Sequence, residues 1–243
     1  MIISPLAHDV LPAANVEQRR NGRVVDMLLL HYTGMASAAA ALELLVSAQS
    51  GVSCHYLVDE EGRITQMVGE EMRAWHAGVS CWQGEADTNS RSIGIEIANP
   101  GHWLGYADFP LIQMKAVIAL CRDILGRNAI VPQNVLAHSD VAPGRKIDPG
   151  EKFDWRMLHE EGIGHWIAPA APEDSPLERG ELETFQQLLA GYGYSLGVSG
   201  EADDQTRKVT DAFQRHFRPA LVNGIPDRSA LLTAERLVAG LSA

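Results

Sequence analysis

Cysteine is scarce in this sequence, and the few cysteines present do not form a pattern typical of disulfide bonds or of a metal site. Among 243 residues only Cys54, Cys81 and Cys121 occur, and there is no Cys-x-x-Cys pair. An odd number of cysteines, scattered along the chain, does not indicate a disulfide framework. Without a Cys-x-x-Cys pair, the sequence also lacks the usual signature of a structural zinc site. We expect the thiols to be buried as small apolar side chains. Cys54 and Cys81 lie in segments that we place near the candidate site, so a minor role there stays open.

Basic residues and long apolar runs are also few. Twenty Lys and Arg residues stand against 31 Asp and Glu residues, a formal net charge of −11 at pH 7. This balance argues against nucleic acid and anionic membrane surfaces as partners. No run of about 20 apolar residues predicts a membrane-spanning helix, and residues 1–22 lack the basic start and apolar stretch of a signal peptide. As printed, the sequence predicts a cytoplasmic protein; removal of a leader would instead allow the periplasm or the outer membrane.

The sequence does contain an alternation of apolar strand and helix patterns. Strands are predicted at 24–30, 92–98 and 133–137, a hairpin at 55–68, and helices at 36–48, 110–127 and 153–164. In the strand at 92–98, Ile93, Ile95 and Ile97 share one face, so Gly94 and Glu96 take the other. The pattern indicates one α/β domain that spans residues 1–167.

A change in composition follows this domain. Residues 168–176 read APAAPEDSP, a Pro- and Ala-rich stretch that predicts a linker. Beyond it, residues 177–243 carry three short helical patterns, with apolar stripes that include Phe185, Phe213 and Leu231. We therefore predict a small three-helix domain at the C-terminal end.

Two histidines and one aspartate form the most informative set of polar residues. His31 ends the apolar run in MLLLHYTG, and His138 and Asp148 both lie in LAHSDVAPGRKIDPG. Two imidazoles and one carboxylate, with a fourth position left for water, are the ligand set of a catalytic zinc ion. Taken alone, His31 would more often be a satisfied core histidine. His138, Ser139 and Asp140 cannot form a serine-hydrolase triad by adjacency, because neighbouring side chains point apart.

A zinc hydrolase also needs a base and a group that stabilises developing negative charge. Glu96 is the acid within the strand SIGIEIA, and a carboxylate in so apolar a segment should have a raised pKa. Lys146 lies two residues before Asp148, so in an extended loop both side chains can point into one site, with the ammonium facing an oxyanion. The alternatives are a surface charge for Glu96 and a solvated loop charge for Lys146.

Three segments together resemble a known family. RAWHAGVSCWQG (73–84), NSRSIGIEIANPG (89–101) and HSDVAPGRKIDPG (138–150) are similar to zinc N-acetylmuramoyl-L-alanine amidases of the AmpD/AmiD type. The resemblance runs in order from about residue 20 to 165. It implies an α/β fold with a central mixed β-sheet flanked by helices, shared with peptidoglycan recognition proteins and phage T7 lysozyme. It also implies one Zn²⁺ ion and hydrolysis of the amide between N-acetylmuramic acid, or its 1,6-anhydro form, and L-alanine of the stem peptide.

The resemblance also implies a role for individual residues. His31, His138 and Asp148 match the zinc ligands, and Glu96 and Lys146 match the catalytic acid and lysine. The residues implied to bind substrate are Trp75, His76, Ala77 and Asn89. The chain departs from some AmpD enzymes between Gly84 and Asn89, where it reads EADT without arginines for substrate carboxylates. Arg91 is the nearby residue that we predict to substitute.

Residues 191–217, GYGYSLGVSGEADDQTRKVTDAFQRHF, resemble the peptidoglycan-binding three-helix domain. The predicted partners are therefore peptidoglycan or muropeptide fragments, and the alternative for this region is an appendage that only packs. Two other function classes stay open for the whole chain. One is a recognition-type module that binds muropeptides without cleaving them, and the other is a zinc peptidase that cuts within the stem peptide. Intact wall and soluble fragments both stay open as the substrate.

Overall fold

The computed structural model describes residues 3–242, and a six-stranded sheet forms its centre. The strands are β1 (Asp9–Val10), β2 (Val16–Gln18), β3 (Met27–Tyr32), β4 (Tyr56–Val58), β5 (Ile64–Gln66), β6 (Met72–Ala74), β7 (Ser92–Ile97) and β8 (Val135–Ala137). The order in the sheet is β1-β5-β4-β7-β3-β8, while β2 and β6 form a separate antiparallel pair. Strands β4, β7, β3 and β8 run parallel and β5 runs antiparallel to β4, which confirms the predicted mixed sheet.

Eight α-helices accompany the sheet within residues 3–242, together with short 3₁₀ helices. They are α1 (Ala38–Val46), α2 (Thr88–Arg91), α3 (Leu111–Arg127), α4 (His138–Val141), α5 (Trp155–Glu160), α6 (Arg179–Tyr192), α7 (Asp204–Phe217) and α8 (Arg228–Ala239). Helix α3 and the β4–β5 hairpin confirm the predictions at 110–127 and 55–68. Helix α5 is shorter than the predicted 153–164, because the chain turns at Gly162, where φ is 77°. No helix within residues 3–242 is long and apolar enough to cross a membrane.

Strand β3 is apolar on both of its faces, and each face has its own cover. Leu28 and Leu30 pack in a core with α3 and α5 on one side of the sheet. Met27 and Leu29 point to the other side, as alternation along a strand requires, and pack in a core with the C-terminal helices α6–α8. All four side chains are completely buried. The three-helix region therefore closes the second face of the central sheet.

The segment predicted as a linker is packed against the C-terminal helices. Ala170 is buried, and its N–H donates to Thr233 Oγ1 at 3.0 Å. Arg228 N donates to Ser175 O at 3.0 Å, and Pro176 forms a bridge with Asp227. The three predicted helices are present, and their apolar core continues into the sheet domain. The boundaries at 167 and 177 remain a prediction.

Candidate active site

Three parallel strands end at one edge of the sheet and bring the candidate residues together there. His31 lies near the end of β3, and its register partner on β7 is Glu96. His138 follows β8 directly as the first residue of α4. Ligand sites of open α/β sheets lie outside the carboxyl ends of the strands, so this edge is where a site is expected.

His31, His138 and Asp148 form a compact set of three potential metal ligands. His31 Nδ1 lies 2.9 Å from His138 Nδ1 and 3.1 Å from Asp148 Oδ2, and His138 Nδ1 lies 2.9 Å from the same oxygen. All three residues are buried. Ser139 N donates to Asp148 O at 3.1 Å, which ties the two downstream segments to each other. The sequence prediction that these residues meet is thus matched by the geometry.

The hydrogen bonds on the far side of each imidazole assign its tautomer. His138 Nε2–H donates to Ala77 O at 2.9 Å, which leaves His138 Nδ1 without a proton. His31 Nε2–H donates to His76 Nδ1 at 3.0 Å, which leaves His31 Nδ1 without one as well. Two unprotonated nitrogens and a carboxylate oxygen then face one another at about 3 Å, an arrangement that a divalent cation would satisfy.

His76 is itself held by a chain of hydrogen bonds. Its Nε2–H donates to Ser92 Oγ at 3.2 Å, and that hydroxyl donates to Thr88 O at 2.7 Å. Gly94 makes room for the ring, since a Cβ at that position would lie 2.6 Å from His76 Nδ1. The glycine in SIGIE is therefore needed for a close approach behind His31.

The ionisation of the three candidate ligands suits a cation. Burial, followed by the nearby His138, lowers the pKa of His31 to about 4. Burial alone would raise the pKa of Asp148, but His138 and His31 beside it hold that pKa well below its usual range. At neutral pH the site therefore offers a neutral imidazole and an ionised carboxylate, the protonation states that zinc requires.

Glu96 lies beside this set, half-buried in the groove. Its Oε2 is buried and has no hydrogen-bond partner among residues 3–242. Burial raises the pKa of Glu96 well above its ordinary value, and the Asp148 charge acts in the same direction, while Lys146 opposes them. A carboxyl group with a raised pKa and a free oxygen is suited to carry a proton. The predicted rise in pKa thus agrees with the structure.

A groove of about 460 Å³ opens above these residues. Lys146 and Asp148 line it together with Trp75, and Lys146 makes no ion pair with any described residue. The rim includes Trp103, whose side chain is 87% exposed. An aromatic residue so open to solvent at the mouth of a groove is a candidate contact surface. Trp103 was not predicted as a candidate residue, because nothing in the local sequence pattern indicates that its side chain is exposed.

The residues predicted to bind substrate occupy different positions. Trp75 is half-buried in the groove wall, whereas Ala77 is completely buried. The Asn89 carboxamide oxygen accepts from His76 N at 3.1 Å and from Ala77 N at 2.8 Å, so this side chain holds the loop in place. Only Trp75 and His76 of these four residues line the groove, and His76 lies behind His31.

Arg91 points away from the groove. Its guanidinium makes two hydrogen bonds of 2.9 Å with the Asp26 carboxylate, and a third goes to Trp82 O at 3.3 Å. These partners hold the guanidinium, and Arg91 is not among the residues that line the groove. The predicted contact of Arg91 with substrate carboxylates has no support in this geometry. None of the three cysteines lines the groove; Cys54 and Cys121 are buried, as expected.

Comparison with known proteins identifies relatives for both parts of the chain. A family model described as N-acetylmuramoyl-L-alanine amidase matches residues 21–151, and one described as a putative peptidoglycan binding domain matches residues 178–231. The chain is 39% identical over 235 residues to the N-acetylmuramoyl-L-alanine amidase AmiD of Escherichia coli (strain K12), and the alignment covers 88% of this chain and 82% of that protein.

Two solved structures are similar over nearly the whole length. The complex of Escherichia coli AmiD with its substrate anhydro-N-acetylmuramic acid-L-Ala-D-gamma-Glu-L-Lys has a TM-score of 0.79 and 36% identity, and covers 94% of this chain and 92% of that one. AmpDh3 from Pseudomonas aeruginosa has a TM-score of 0.77 and 32% identity, and covers 92% of this chain and 95% of that one. The likeness includes the C-terminal helices as well as the sheet.

Proposed function

This chain belongs to the N-acetylmuramoyl-L-alanine amidase family, and on that basis we propose that it hydrolyses the amide between N-acetylmuramic acid and L-alanine of peptidoglycan stem peptides. The similar AmiD structure contains an anhydro-N-acetylmuramic acid peptide, so both the plain and the 1,6-anhydro sugar are included in this proposal. The observation that carries it is the convergence of His31, His138 and Asp148 beside Glu96 in one groove.

His31 Nδ1, His138 Nδ1 and the Asp148 carboxylate would hold one zinc ion. Bound there, zinc would polarise the substrate carbonyl and lower the pKa of a water molecule. The surrounding residues fix this ligand set: the His76 ring keeps His31 in the correct tautomer, and Ala77 O does the same for His138. These two residues thus contribute to the site from behind the ligands.

Glu96 would act as the proton carrier. Its unpartnered Oε2 takes the proton from the attacking water and then delivers it to the leaving amine of L-alanine. Lys146 lines the same groove without an ion-pair partner among the described residues, so its ammonium is free to face the oxygen that becomes negative. Trp75 and Trp103 form apolar walls against which substrate would lie.

Metal and product analysis test this proposal against its rivals. The purified protein should contain about one zinc per chain, and soluble anhydro-muropeptides should release a free stem peptide with L-alanine at its N-terminus. A protein that binds muropeptide without stoichiometric zinc and releases nothing would be a binding module. Products cut within the stem peptide would identify a peptidase instead.

The compartment and the natural substrate belong to the same proposal. A cytoplasmic enzyme would meet soluble recycled fragments, whereas one in the periplasm or at the outer membrane would meet the wall itself. The match to a peptidoglycan-binding model favours action on the polymer, so we propose that intact sacculi are also cleaved. Fractionation of cells that produce the native chain, followed by immunodetection, distinguishes the two compartments.

A further inference from the structure

The last turn of α7, in the C-terminal helical region, reaches both segments that supply downstream candidate ligands. Two consecutive residues there, Arg215 and His216, cross to the sheet domain. His216 contacts Asp140, two residues after His138, and Arg215 contacts Glu151, three residues after Asp148. One helical turn therefore touches both segments, although those segments belong to the other part of the chain.

Asp140 is the first of these contact points and is completely buried. His216 Nδ1–H donates to its Oδ2 at 2.7 Å, and Tyr194 OH donates to its Oδ1 at 2.6 Å. Both donors come from the C-terminal region. The Asp140 Oδ2 also accepts from Ala137 N at 2.8 Å and so closes the first turn of α4, the helix that begins with His138.

Helix α4 needs such outside support, because it has only four residues. A single helical turn fixes several backbone dihedral angles for one or two hydrogen bonds and does not hold its own shape. A buried carboxylate that loses a hydrogen-bond donor costs considerable free energy. The three donors around Asp140 therefore favour a single position of this turn. The imidazole of His138 is carried by that turn.

The second contact point supports the loop that follows Asp148. Arg215 forms an ion pair with Glu151, and Glu151 also lies 3.1 Å from His102 Nε2. His102 Nδ1 is 3.0 Å from Tyr32 OH, and Tyr32 is the residue after His31 on β3. The contacts of Arg215 thus continue through Glu151 and His102 to Tyr32, on the strand that carries the third candidate ligand.

We propose that the C-terminal three-helix region positions the candidate metal ligands. In this region Tyr194, Arg215 and His216 hold the segments that carry His138 and Asp148. This inference rests on the proposed function only in assuming that those residues bind zinc. It goes beyond attachment to the cell wall, the role that the family match suggests for the region. Tyr194, Arg215 and His216 are positioning residues, since they touch the ligands' supports rather than the ligands.

Two buried tyrosines of the C-terminal region provide a matched test in the full-length chain. Tyr194 OH reaches Asp140 near the site, whereas Tyr192 OH reaches His165 Nδ1 at 3.1 Å, and both rings are at most 3% exposed. Zinc affinity is measured by competition with a chelating dye at a temperature where all variants are folded. Tyr194→Phe should bind zinc about 10-fold more weakly than wild type, the lower end of the loss that follows removal of outer-shell partners, because Tyr194 contacts the support of His138 and not the ligand itself. Tyr192→Phe should stay within about threefold of wild type.

A second pair of variants separates positioning from general packing. His216→Asn keeps an N–H donor near the position of Nδ1 and should retain most of the zinc affinity, whereas His216→Leu removes the donor and should lose it. If Tyr194→Phe and Tyr192→Phe bind zinc equally well, or lose it equally, the inference is wrong. A wild-type protein that binds no zinc would instead contradict the proposed function, so the two failures can be told apart.

Discussion

Replacing Glu96 with glutamine tests the chemical role of this side chain with little disturbance to the fold. Glutamine has the same shape, and the buried Oε2 of Glu96 has no hydrogen-bond partner among residues 3–242 that the change would break. The substitution also removes a carboxyl group whose pKa burial raises, so folding at neutral pH should not become less favourable. We therefore expect Glu96→Gln to fold with the metal site intact.

The expected loss of activity follows from the proton transfer that glutamine cannot perform. General acid–base catalysis contributes about 10²-fold to 10⁴-fold, which corresponds to about 2.7–5.4 kcal/mol of activation free energy. We expect kcat on a soluble anhydro-muropeptide to fall within this range. KM should change little, because the amide occupies the same space and Lys146, Trp75 and the ligand set are untouched.

The assay pairs a rate with a metal content. Stem-peptide release is followed by chromatography and mass spectrometry, and zinc in the same sample is measured by elemental analysis. Activity within tenfold of wild type, with zinc present, would refute the role of Glu96 as proton carrier. Loss of zinc from the variant would show instead that Glu96 is a ligand or a structural support.

The remaining predictions concern pH, a glycine and the metal. Burial lowers the pKa of His31 to about 4, of His55 to about 3 and of His76 well below its usual value. The stability that these neutral rings contribute is therefore complete above pH 6.5 and is lost as pH falls. Glu96, with a raised pKa, acts in the opposite sense. Near pH 5 the metal-free protein should therefore lose about 2–3 kcal/mol of unfolding free energy for each unit by which the pH falls, and in Glu96→Gln this pH dependence should be steeper by the contribution of about one proton. Denaturant titrations at several pH values that show no such dependence would contradict this prediction. Gly94→Ala places a Cβ 2.6 Å from His76 and should cost about 1–3 kcal/mol in stability and weaken zinc binding, as chemical denaturation and chelator competition would reveal. Removal of the metal with a chelator should abolish activity, and added zinc should restore it; activity that survives full removal would argue against a metal hydrolase.

Much of the site could be predicted because it follows from strand geometry. Alternation in SIGIEIA separates Glu96 from the three isoleucines, and the apolar run before His31 predicts a buried strand that ends at the ligand edge. His138 could be placed for the same reason, since it follows a short strand directly. These patterns are local in the sequence, and the parallel sheet brings the residues at the ends of its strands close together.

Other features depend on contacts between distant segments and could not be derived locally. His76 lies behind His31 because β6 and the following loop bring residues 45 positions apart together. Arg91 lies two residues after Asn89 in the sequence, but its pairing with Asp26 turns it away from the groove. Proximity in sequence does not determine the direction of a side chain.

The sequence contains a sign that the C-terminal helices pack on the central sheet, but the composition of the preceding stretch points the other way. The Pro- and Ala-rich stretch predicts a linker between two domains, yet Ala170 within it is buried against those helices. The better indicator was the run MLLL in β3, which is apolar at every position and therefore requires cover on both faces of the sheet. Helix α3 covers one face, so another part of the chain had to supply the second.

The reaction that we propose for this protein is hydrolysis of the bond between the muramic acid lactyl group and L-alanine. Mass spectrometry of two parallel digests, one of intact sacculi and one of soluble anhydro-muropeptides, each with a chelator control, tests it most directly. We predict free stem peptides with L-alanine at the N-terminus from both digests, and none in the presence of chelator. No release from either substrate by zinc-loaded protein, or cleavage within the stem peptide, would contradict the claim.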